Sequence, residues 1–183
     1  MAPIYTLEFN QIGMQDVARV GGKNASLGQL FRELKPCGVG VLDGFATTSD
    51  AYWRLLAEQD LRTRLDKLFT DFNPENLEEL ARRGHAARTT VMETALPEEL
   101  TQSVLEAYGR LLTRLGREPE LAVRSSATAE DLPEASFAGA AETFLNIRGP
   151  EGLLRAIHQC FASLFTDRAI SYRARLDIRS LKW

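Results

Sequence analysis

The amino-acid sequence predicts an α+β fold. Short segments rich in apolar and aromatic residues, which are typical of strands, lie towards both ends of the chain, and a long stretch with helical periodicity separates them. Strands and helices do not alternate regularly, so a doubly wound parallel sheet is not expected. A chain of 183 residues buries roughly 70% of its unfolded surface. This favours one domain, or one domain with a small lobe.

The first third of the chain predicts a strand, a glycine turn and a helix. IYTLEF has the composition of a strand, and GGKNASLGQLFREL that of a turn followed by a helix. One face of this helix carries the apolar residues Leu27, Leu30, Phe31 and Leu34. GVGVLDGFATT then predicts a glycine-bounded strand, after which the hydroxyl of Thr47 or Thr48 is expected to cap a helix. A βα unit is therefore expected near the N-terminus.

Residues 60–116 have helical periodicity and predict a helical subdomain or insertion. Pro74 and Pro97 indicate two helix starts within or beside it, because proline is favoured at the first helical position. Acidic residues after Pro97 support the second start, since they lie near the positive end of the helix dipole.

The last third of the chain predicts two strands followed by two helices. The strands are expected at Leu121–Arg124 and Thr143–Ile147. Gly149 and Pro150 open an amphipathic helix, and Thr166 begins another.

Composition and charge exclude several classes of protein. The formal net charge is −3, whereas a surface that follows nucleic-acid phosphates is usually basic, so no nucleic acid is expected as a partner. No run of about 18 apolar residues occurs, so no membrane span is expected. Cys37 and Cys160 have no zinc-ligand or CxxC spacing, and the chain does not start like a signal peptide. A cytoplasmic location with reduced thiols is expected.

VGGKNASLG, residues 20–28, is the first candidate binding segment. Glycines allow close approach of a phosphate to the backbone, helix N-terminal amides favour anions, and Lys23 adds a positive charge. The segment is not a Walker A loop, because the leading glycine is missing and Asn24 follows the lysine. On these residues alone, a glycine turn with an exposed lysine is the favoured explanation, because short glycine motifs often match by chance. GVGVLDG, residues 38–44, departs from the dinucleotide-binding spacing and is interpreted as a turn.

VRSSATAEDLPEASFAG, residues 123–139, is the second candidate. Arg124 ends a predicted strand, where its guanidinium can bind two phosphate oxygens at once. Gly139 allows close backbone approach. Hydroxyl donors follow the arginine at Ser125, Ser126 and Thr128. The alternative is a solvent-exposed loop in which Arg124 pairs with Glu130 or Asp131.

The histidines are not expected to be catalytic. His85 lies in the charged segment ARRGHAAR, and His158 lies among apolar residues of a predicted helix. Neither has a recognisable acid or nucleophile beside it. No metal-binding constellation stands out either, so no catalytic or metal residue is predicted in this chain.

Five motifs, taken in order, resemble one known family. They are VGGKNASLGQL, DGFATTSDAY, VRSSATAEDLPEASFAG, ETFLNIRG and CFASLFTDRAISYR. Together they resemble the N-terminal ATP-binding domain of phosphoenolpyruvate synthase and, more distantly, of pyruvate phosphate dikinase and rifampin phosphotransferase. The resemblance implies the N-terminal lobe of an ATP-grasp-like nucleotide-binding domain with a helical middle segment. It further implies that Lys23 and Arg124 hold nucleotide phosphates and that Gly139 and Thr143 bind the nucleotide.

The resemblance also implies a reaction that needs more than this lobe. In the family, ATP, pyruvate and water give AMP, phosphoenolpyruvate and phosphate, with Mg²⁺ and a phosphohistidine carrier. The Mg²⁺ ligands belong to a second ATP-grasp lobe, so residues 1–183 are expected to form a single partial domain that is incomplete alone. A polypeptide supplying the second lobe and the phosphohistidine domain is an expected partner. Apolar helix faces that such a partner would cover make self-association a further expectation.

Two departures from the family pattern bear on the site. Leu42 replaces the proline of the family's PDGF turn, and Ala140 and Ala141 replace two glutamines. Two other functions stay open at this point. One is a non-catalytic module that binds a nucleotide or docks onto a partner, and the other is the ATP-binding part of an antibiotic phosphotransferase.

Overall fold

The computed structural model of the chain describes residues 3–126 and 142–175. In these ranges it has four short strands and eight α-helices, so the predicted α+β class is confirmed. The strands are β1 (Thr6–Glu8), β2 (Phe45–Thr47), β3 (Leu121–Arg124) and β4 (Thr143–Ile147). The helices are α1 (Val17–Val20), α2 (Gly22–Leu34), α3 (Ser49–Leu56), α4 (Leu61–Leu68), α5 (Leu77–Glu93), α6 (Glu98–Leu115), α7 (Gly149–Ser163) and α8 (Asp167–Arg175).

The four strands form two antiparallel pairs. β1 pairs with β2, and Leu7 lies opposite Ala46. β3 pairs with β4, with an irregular register between Leu121 and Val123. The second pair places Arg124 directly opposite Thr143. The C-terminal ends of β2 and β3 both lead into segments that border the main cavity.

Most of the buried apolar side chains belong to one large core, called here the helical core. It includes residues from α3 to α8, and the strands β3 and β4 pack against its edge through half-buried side chains. Its fully buried members include Leu55, Leu61, Leu65, Leu100 and Phe165. The helices of residues 60–116 thus share their apolar face with α3 and α7.

A smaller apolar cluster, called here the N-terminal cluster, lies beneath α1 and α2. Its buried members are Ile12, Val20, Ala25 and Ala46. Gly28 faces the same cluster, and a Cβ built on it would lie 2.5 Å from the Ile12 Cβ. This contact means that α2 needs glycine at position 28 to lie this close to Ile12. The buried face of α2 is therefore made of small residues and Phe31.

The leucines of α2 do not pack into the protein core, although their spacing is that of a buried face of an amphipathic helix. Leu30 is 45% exposed, and Leu27, Leu30 and Leu34 border the main cavity. The predicted apolar face therefore lines the cavity, and only Phe31 of that face belongs to the buried side of the helix.

Two local predictions about helix starts were wrong. Pro74 does not begin a helix, because α5 starts at Leu77, where the Asn76 side chain accepts a hydrogen bond from the Glu79 amide at 3.1 Å. Thr48 is the N-cap residue of α3, but its hydroxyl does not cap that helix. It donates instead to the Ile4 carbonyl oxygen at 2.5 Å, which fastens the N-terminal segment to β2.

Candidate functional site

A cavity of about 1290 Å³ opens beside the two strand pairs. It is bordered by α2 and the segment 39–49 on the N-terminal side, and by the segment 117–126, α7 and α8 elsewhere. Pockets for small molecules and cofactors are typically about 300–1,000 Å³. The cavity, called here the cleft, is therefore large enough for a nucleotide.

Arg124 and Ser126 bring polar groups to the cleft at the end of β3. The Arg124 side chain is exposed and borders the cleft, as predicted for a phosphate-binding arginine. The Ser126 hydroxyl oxygen is buried, and it has no hydrogen-bond partner among the residues that the structure describes. A buried hydroxyl without a partner is costly. A ligand oxygen in the cleft would remove that cost, so this part of the cleft fits a polar ligand.

Thr143 lies next to Arg124 because the two are cross-strand partners in the β3–β4 ladder. Directly opposite residues have Cβ atoms about 4.5–5.5 Å apart. The ladder is extended by two more hydrogen bonds, from the Ser125 amide to the Glu142 carbonyl at 3.1 Å and from the Glu142 amide to the Ser125 hydroxyl at 3.0 Å. The strand pairing thus brings together two residues that are 19 positions apart in the sequence.

Part of the predicted site falls outside the described residues. Gly139, Thr128 and the two alanines at positions 140 and 141 all lie in the segment 127–141. Glu130 and Asp131, the alternative partners of Arg124, lie in the same segment.

Lys23 occupies the first turn of α2, where the sequence predicted a glycine turn feeding a helix. Gly21 precedes it with φ +76° and ψ 159°, a conformation that other residues rarely adopt. Val20 and Asn24 border the cleft, and the Asn24 side-chain Nδ2 donates to the Val20 carbonyl oxygen at 2.9 Å. Neither the half-buried Lys23 nor the exposed Thr143 is among the described residues that border the cleft. The structure therefore joins Arg124 and Thr143, but it does not place Lys23 beside them.

The described residues around the cleft carry more positive than negative side chains. The five arginines are Arg19, Arg117, Arg124, Arg148 and Arg173, and the three acids are Asp43, Glu118 and Glu120. Arg148 and Glu120 form an ion pair with each other. The excess of positive charge favours an anionic ligand.

Arg173, on α8, is a cleft residue to which the sequence alone assigned no role. Burial lowers the pKa of its guanidinium to about 9, and the neighbouring Tyr52 acts in the opposite direction. The group therefore keeps its charge at neutral pH. Its guanidinium carbon lies 5.7 Å from the centroid of the Phe165 ring, within the range of a cation–π contact. The sequence feature that could have indicated a role for Arg173 is its position at the end of the motif CFASLFTDRAISYR.

Cys160 and Tyr52 border the cleft without being chemically activated. Burial raises the pKa of the Cys160 thiol to about 12, so the thiol stays protonated and is a poor nucleophile at neutral pH. Burial also raises the pKa of Tyr52. Neither group has the features of a reacting residue.

Comparison with known proteins identifies the family. A family model described as pyruvate phosphate dikinase, AMP/ATP-binding domain, matches residues 17–183. The chain belongs to this family. The resemblance inferred from the five motifs is thereby confirmed.

Several curated relatives are phosphoenolpyruvate synthases. The chain is 49% identical over 172 residues to the phosphoenolpyruvate synthase of Synechocystis sp., covering 91% of this chain and 21% of that protein. It is 47% identical over 167 residues to the Escherichia coli enzyme of the same name, again covering 91% and 21%. A rifampicin phosphotransferase of Streptomyces sviceus is 43% identical over 181 residues, covering 97% of this chain and 20% of that protein. The chain thus spans about a fifth of the length of these relatives.

The described residues were searched for a metal-binding cluster and for a membrane-spanning helix. They contain no group of three or more His, Cys, Asp or Glu side chains arranged to hold a metal ion. No helix among them is both long and apolar enough to cross a membrane.

Proposed function

We propose that the chain binds ATP in the cleft, with Arg124 and Lys23 contacting the phosphates. The Gly139 backbone and the Thr143 hydroxyl supply further hydrogen bonds to the nucleotide. The observation that carries this proposal is the end of β3, where an exposed arginine and a buried serine hydroxyl border a cavity of about 1290 Å³, and the hydroxyl has no hydrogen-bond partner among the described residues. Membership of an AMP/ATP-binding domain family supports the choice of ligand.

The two cations have different tasks in this proposal. The planar Arg124 guanidinium binds two phosphate oxygens in a fixed geometry, whereas the Lys23 ammonium is a point charge on a flexible stem. Lys23 does not border the cleft, so its side chain has to turn towards the phosphates when ATP binds. Positive charge placed at the phosphates stabilises the charge that spreads over their oxygens during phosphoryl transfer.

We propose that Mg²⁺ binds to this part of the protein only together with the nucleotide. The described residues offer no cluster of metal ligands, and Mg²⁺ is commonly held by one or two carboxylates together with substrate phosphates. The described residues therefore do not form a magnesium site of their own. We assign the carboxylate ligands to a second lobe of the domain.

We further propose that residues 1–183 form a single partial ATP-grasp-like domain, in which residues 60–116 are a helical subdomain. In the complete enzyme, ATP, pyruvate and water would give AMP, phosphoenolpyruvate and phosphate. The names of the relatives and their 47–49% identity support this reaction. A second lobe and a phosphohistidine domain would be the partners of this one. The free cysteines Cys37 and Cys160 agree with a cytoplasmic location.

A second candidate function is supported by the rifampicin phosphotransferase relative. Its 43% identity over 181 residues approaches that of the phosphoenolpyruvate synthases. Both functions use the same ATP-binding lobe and differ in the acceptor of the phosphoryl group. ATP binding to the cleft is common to the two candidates, so its test applies to either.

Isothermal titration of the chain with ATP and Mg²⁺ tests the proposal. Arg124→Ala should weaken ATP binding by about tenfold or more, because a charge-assisted bidentate contact is lost. Lys23→Ala should weaken it by a smaller factor. Arg82→Ala is the matched control, since Arg82 is exposed on α5 and does not border the cleft.

Circular dichroism melting of each variant shows whether the protein is still folded. ATP binding that is unaffected by both Arg124→Ala and Lys23→Ala would contradict the assignment of the phosphate site.

A further inference from the structure

A network of ion pairs ties the C-terminal half of α6 to the loop 39–44. The Arg114 Nε lies 2.9 Å from the Asp43 Oδ2, and its Nη2 lies 3.3 Å from the Asp43 Oδ1. The third guanidinium nitrogen, Nη1, lies 2.7 Å from the Glu8 Oε2. Arg114 on α6 thus contacts the end of β1, 106 residues away in the sequence, and the loop, 71 residues away.

The carboxylates of this network are well shielded from solvent. The side chain of Asp43 is 7% exposed and that of Glu8 is 13% exposed, while that of Arg114 is 30% exposed. The hydrogen bond to Asp43 is the largest cause that raises the pKa of Arg114, and Glu8 adds to it. A buried carboxylate needs a charged partner. Lys35 is a second cation near Asp43, but its Nζ lies 4.0 Å from the Asp43 Oδ2, so the two contacts from Arg114 are the shorter ones.

The Asp43 carboxylate in turn fixes the backbone of the loop. Its Oδ1 accepts a hydrogen bond from the Gly44 amide at 2.7 Å. The Gly44 carbonyl accepts from the Phe9 amide at 3.1 Å, which continues the pairing of β1 with β2. Arg114 therefore acts on the loop at the residue where the loop enters β2.

The loop is a wall of the cleft, whereas Arg114 does not border the cleft. Residues 39–44 all border the cavity, although the loop contains no helix or strand. Leu42 is 89% exposed and Val39 is 48% exposed, so apolar packing contributes little to holding the loop. The polar contacts of Asp43 therefore contribute much of what holds the loop in place.

We propose that Arg114 is a positioning residue for the nucleotide cleft, which holds the wall formed by residues 39–44 in its binding conformation through Asp43. This inference rests on the proposed function, since it treats the cleft as the ATP site. The inference also gives residues 60–116 a role in binding, because Arg114, which fixes the wall, lies near the end of α6. The Arg114 side chain does not border the cleft, and it acts on the wall through Asp43.

Arg110 provides a matched control on the same helix. Its Nε lies 2.5 Å from the Glu8 Oε1, so it shares the Glu8 carboxylate with Arg114. No contact between Arg110 and Asp43 occurs in the part of the chain that the structure describes. Arg110→Gln removes the same charge from the same network without releasing the loop.

Hydrogen exchange followed by mass spectrometry, on the whole chain without nucleotide, measures the loop itself. Arg114→Gln should increase amide exchange in residues 40–44 by about tenfold, the factor expected when a shielded bidentate pair is lost. Arg110→Gln should leave exchange there within about twofold of the wild type. Arg114→Lys should give an intermediate value, because lysine keeps the charge but not the two-nitrogen geometry.

Titration with ATP and Mg²⁺ measures the consequence for the cleft. Arg114→Gln should weaken ATP binding by about three- to tenfold, Arg114→Lys should restore part of it, and Arg110→Gln should leave it unchanged. Asp43→Asn, combined with Arg114→Gln, should add little to either single change, because both act on one contact.

Several results would overturn the inference. They are loop exchange unchanged in Arg114→Gln, exchange raised equally by Arg110→Gln, or a loosened loop with unaltered ATP affinity. If the wild-type chain binds no ATP, the proposed function fails and the positioning role fails with it. The exchange data then show separately whether Arg114 holds the loop.

Discussion

The helical core and the N-terminal cluster differ in how much buried apolar surface supports them. The helical core joins six helices. Its large side chains with no exposed surface include Leu55, Leu61, Leu65, Leu100 and Phe165. The N-terminal cluster has four buried members among the described residues, and two of them are alanines. Yet the N-terminal cluster supports α2, whose first turn carries Lys23.

This difference separates stability from binding within one molecule. Changes in the helical core remove large amounts of buried apolar area and should act mainly on the free energy of unfolding. Changes in the N-terminal cluster should move α2 and the cleft at a smaller cost in stability.

The largest expected effect is that of Phe165→Ala in the helical core. Phe165 is completely buried, and its ring stacks on that of Phe69 with centroids 6.2 Å apart. Truncation should lower the free energy of unfolding by about 3–5 kcal/mol, as measured by urea denaturation. Leu77→Ala is the control, since Leu77 is 75% exposed and should change stability by less than about 0.5 kcal/mol. A similar loss in both variants would contradict the importance of the helical core.

Gly28→Ala tests the N-terminal cluster. The new Cβ would lie 2.5 Å from the Ile12 Cβ and 2.8 Å from its carbonyl oxygen, so α2 has to move away from Ile12. We expect a loss of about 1–3 kcal/mol in the free energy of unfolding, together with weaker ATP binding as Lys23 is displaced. Denaturation and titration measure the two effects.

Gly109→Ala is the matched control for that change. Gly109 lies on α6, and a Cβ there meets no atom within 4 Å. Alanine at this exposed position of α6 should stabilise the protein by about 0.5–1 kcal/mol and leave ATP affinity unchanged. If Gly28→Ala behaves like Gly109→Ala, the close contact between α2 and Ile12 is not important.

The smallest expected effect concerns pH and the buried His158. Its Nε2 donates to the Val91 carbonyl at 2.8 Å, and burial lowers its pKa below the ordinary value. The unfolded chain therefore takes up this proton at a higher pH than the folded chain does. Stability should fall as the pH drops below about 6.5, by at most about 1.4 kcal/mol per pH unit from this group.

Urea denaturation at pH 7.5 and pH 5.5 measures that dependence. His158→Gln keeps an amide donor for the Val91 carbonyl but cannot be protonated in this range. The variant should lose less stability than the wild type between the two pH values, since the carboxylates titrate alike in both. An equal loss in the two proteins would show that His158 does not contribute.

Local sequence signals predicted much of the fold. The bounds of β3 and β4 and the start of α7 follow from strand composition and a Gly-Pro pair. The start of α5 was placed too early, because Asn76 caps the helix more effectively than Pro74 begins it. The Thr48 hydroxyl was assigned to a cap because its actual partner, Ile4, is 44 residues away.

In the candidate site, too, contacts between residues far apart in the sequence were not predicted. Arg124 and Thr143 were predicted as binding residues from motifs, and strand register explains why they lie together. The motifs do not indicate that Asp43 depends on Arg114, because that contact joins two separate segments through tertiary packing. Similarly, the leucines of α2 share a face in the sequence, but periodicity does not reveal that this face borders a cavity.

An NMR titration of backbone amides with ATP and Mg²⁺ tests the central claim most directly. The claim predicts that the largest shifts occur at residues 20–24, 123–126 and 143, and that AMP, which lacks two phosphates, gives smaller shifts in these segments. In Arg124→Ala, the shifts around residues 123–126 should become weaker at the same ATP concentration. Large shifts confined to α5 and the outer face of α6, or identical responses to ATP and AMP, would contradict a phosphate site in the cleft.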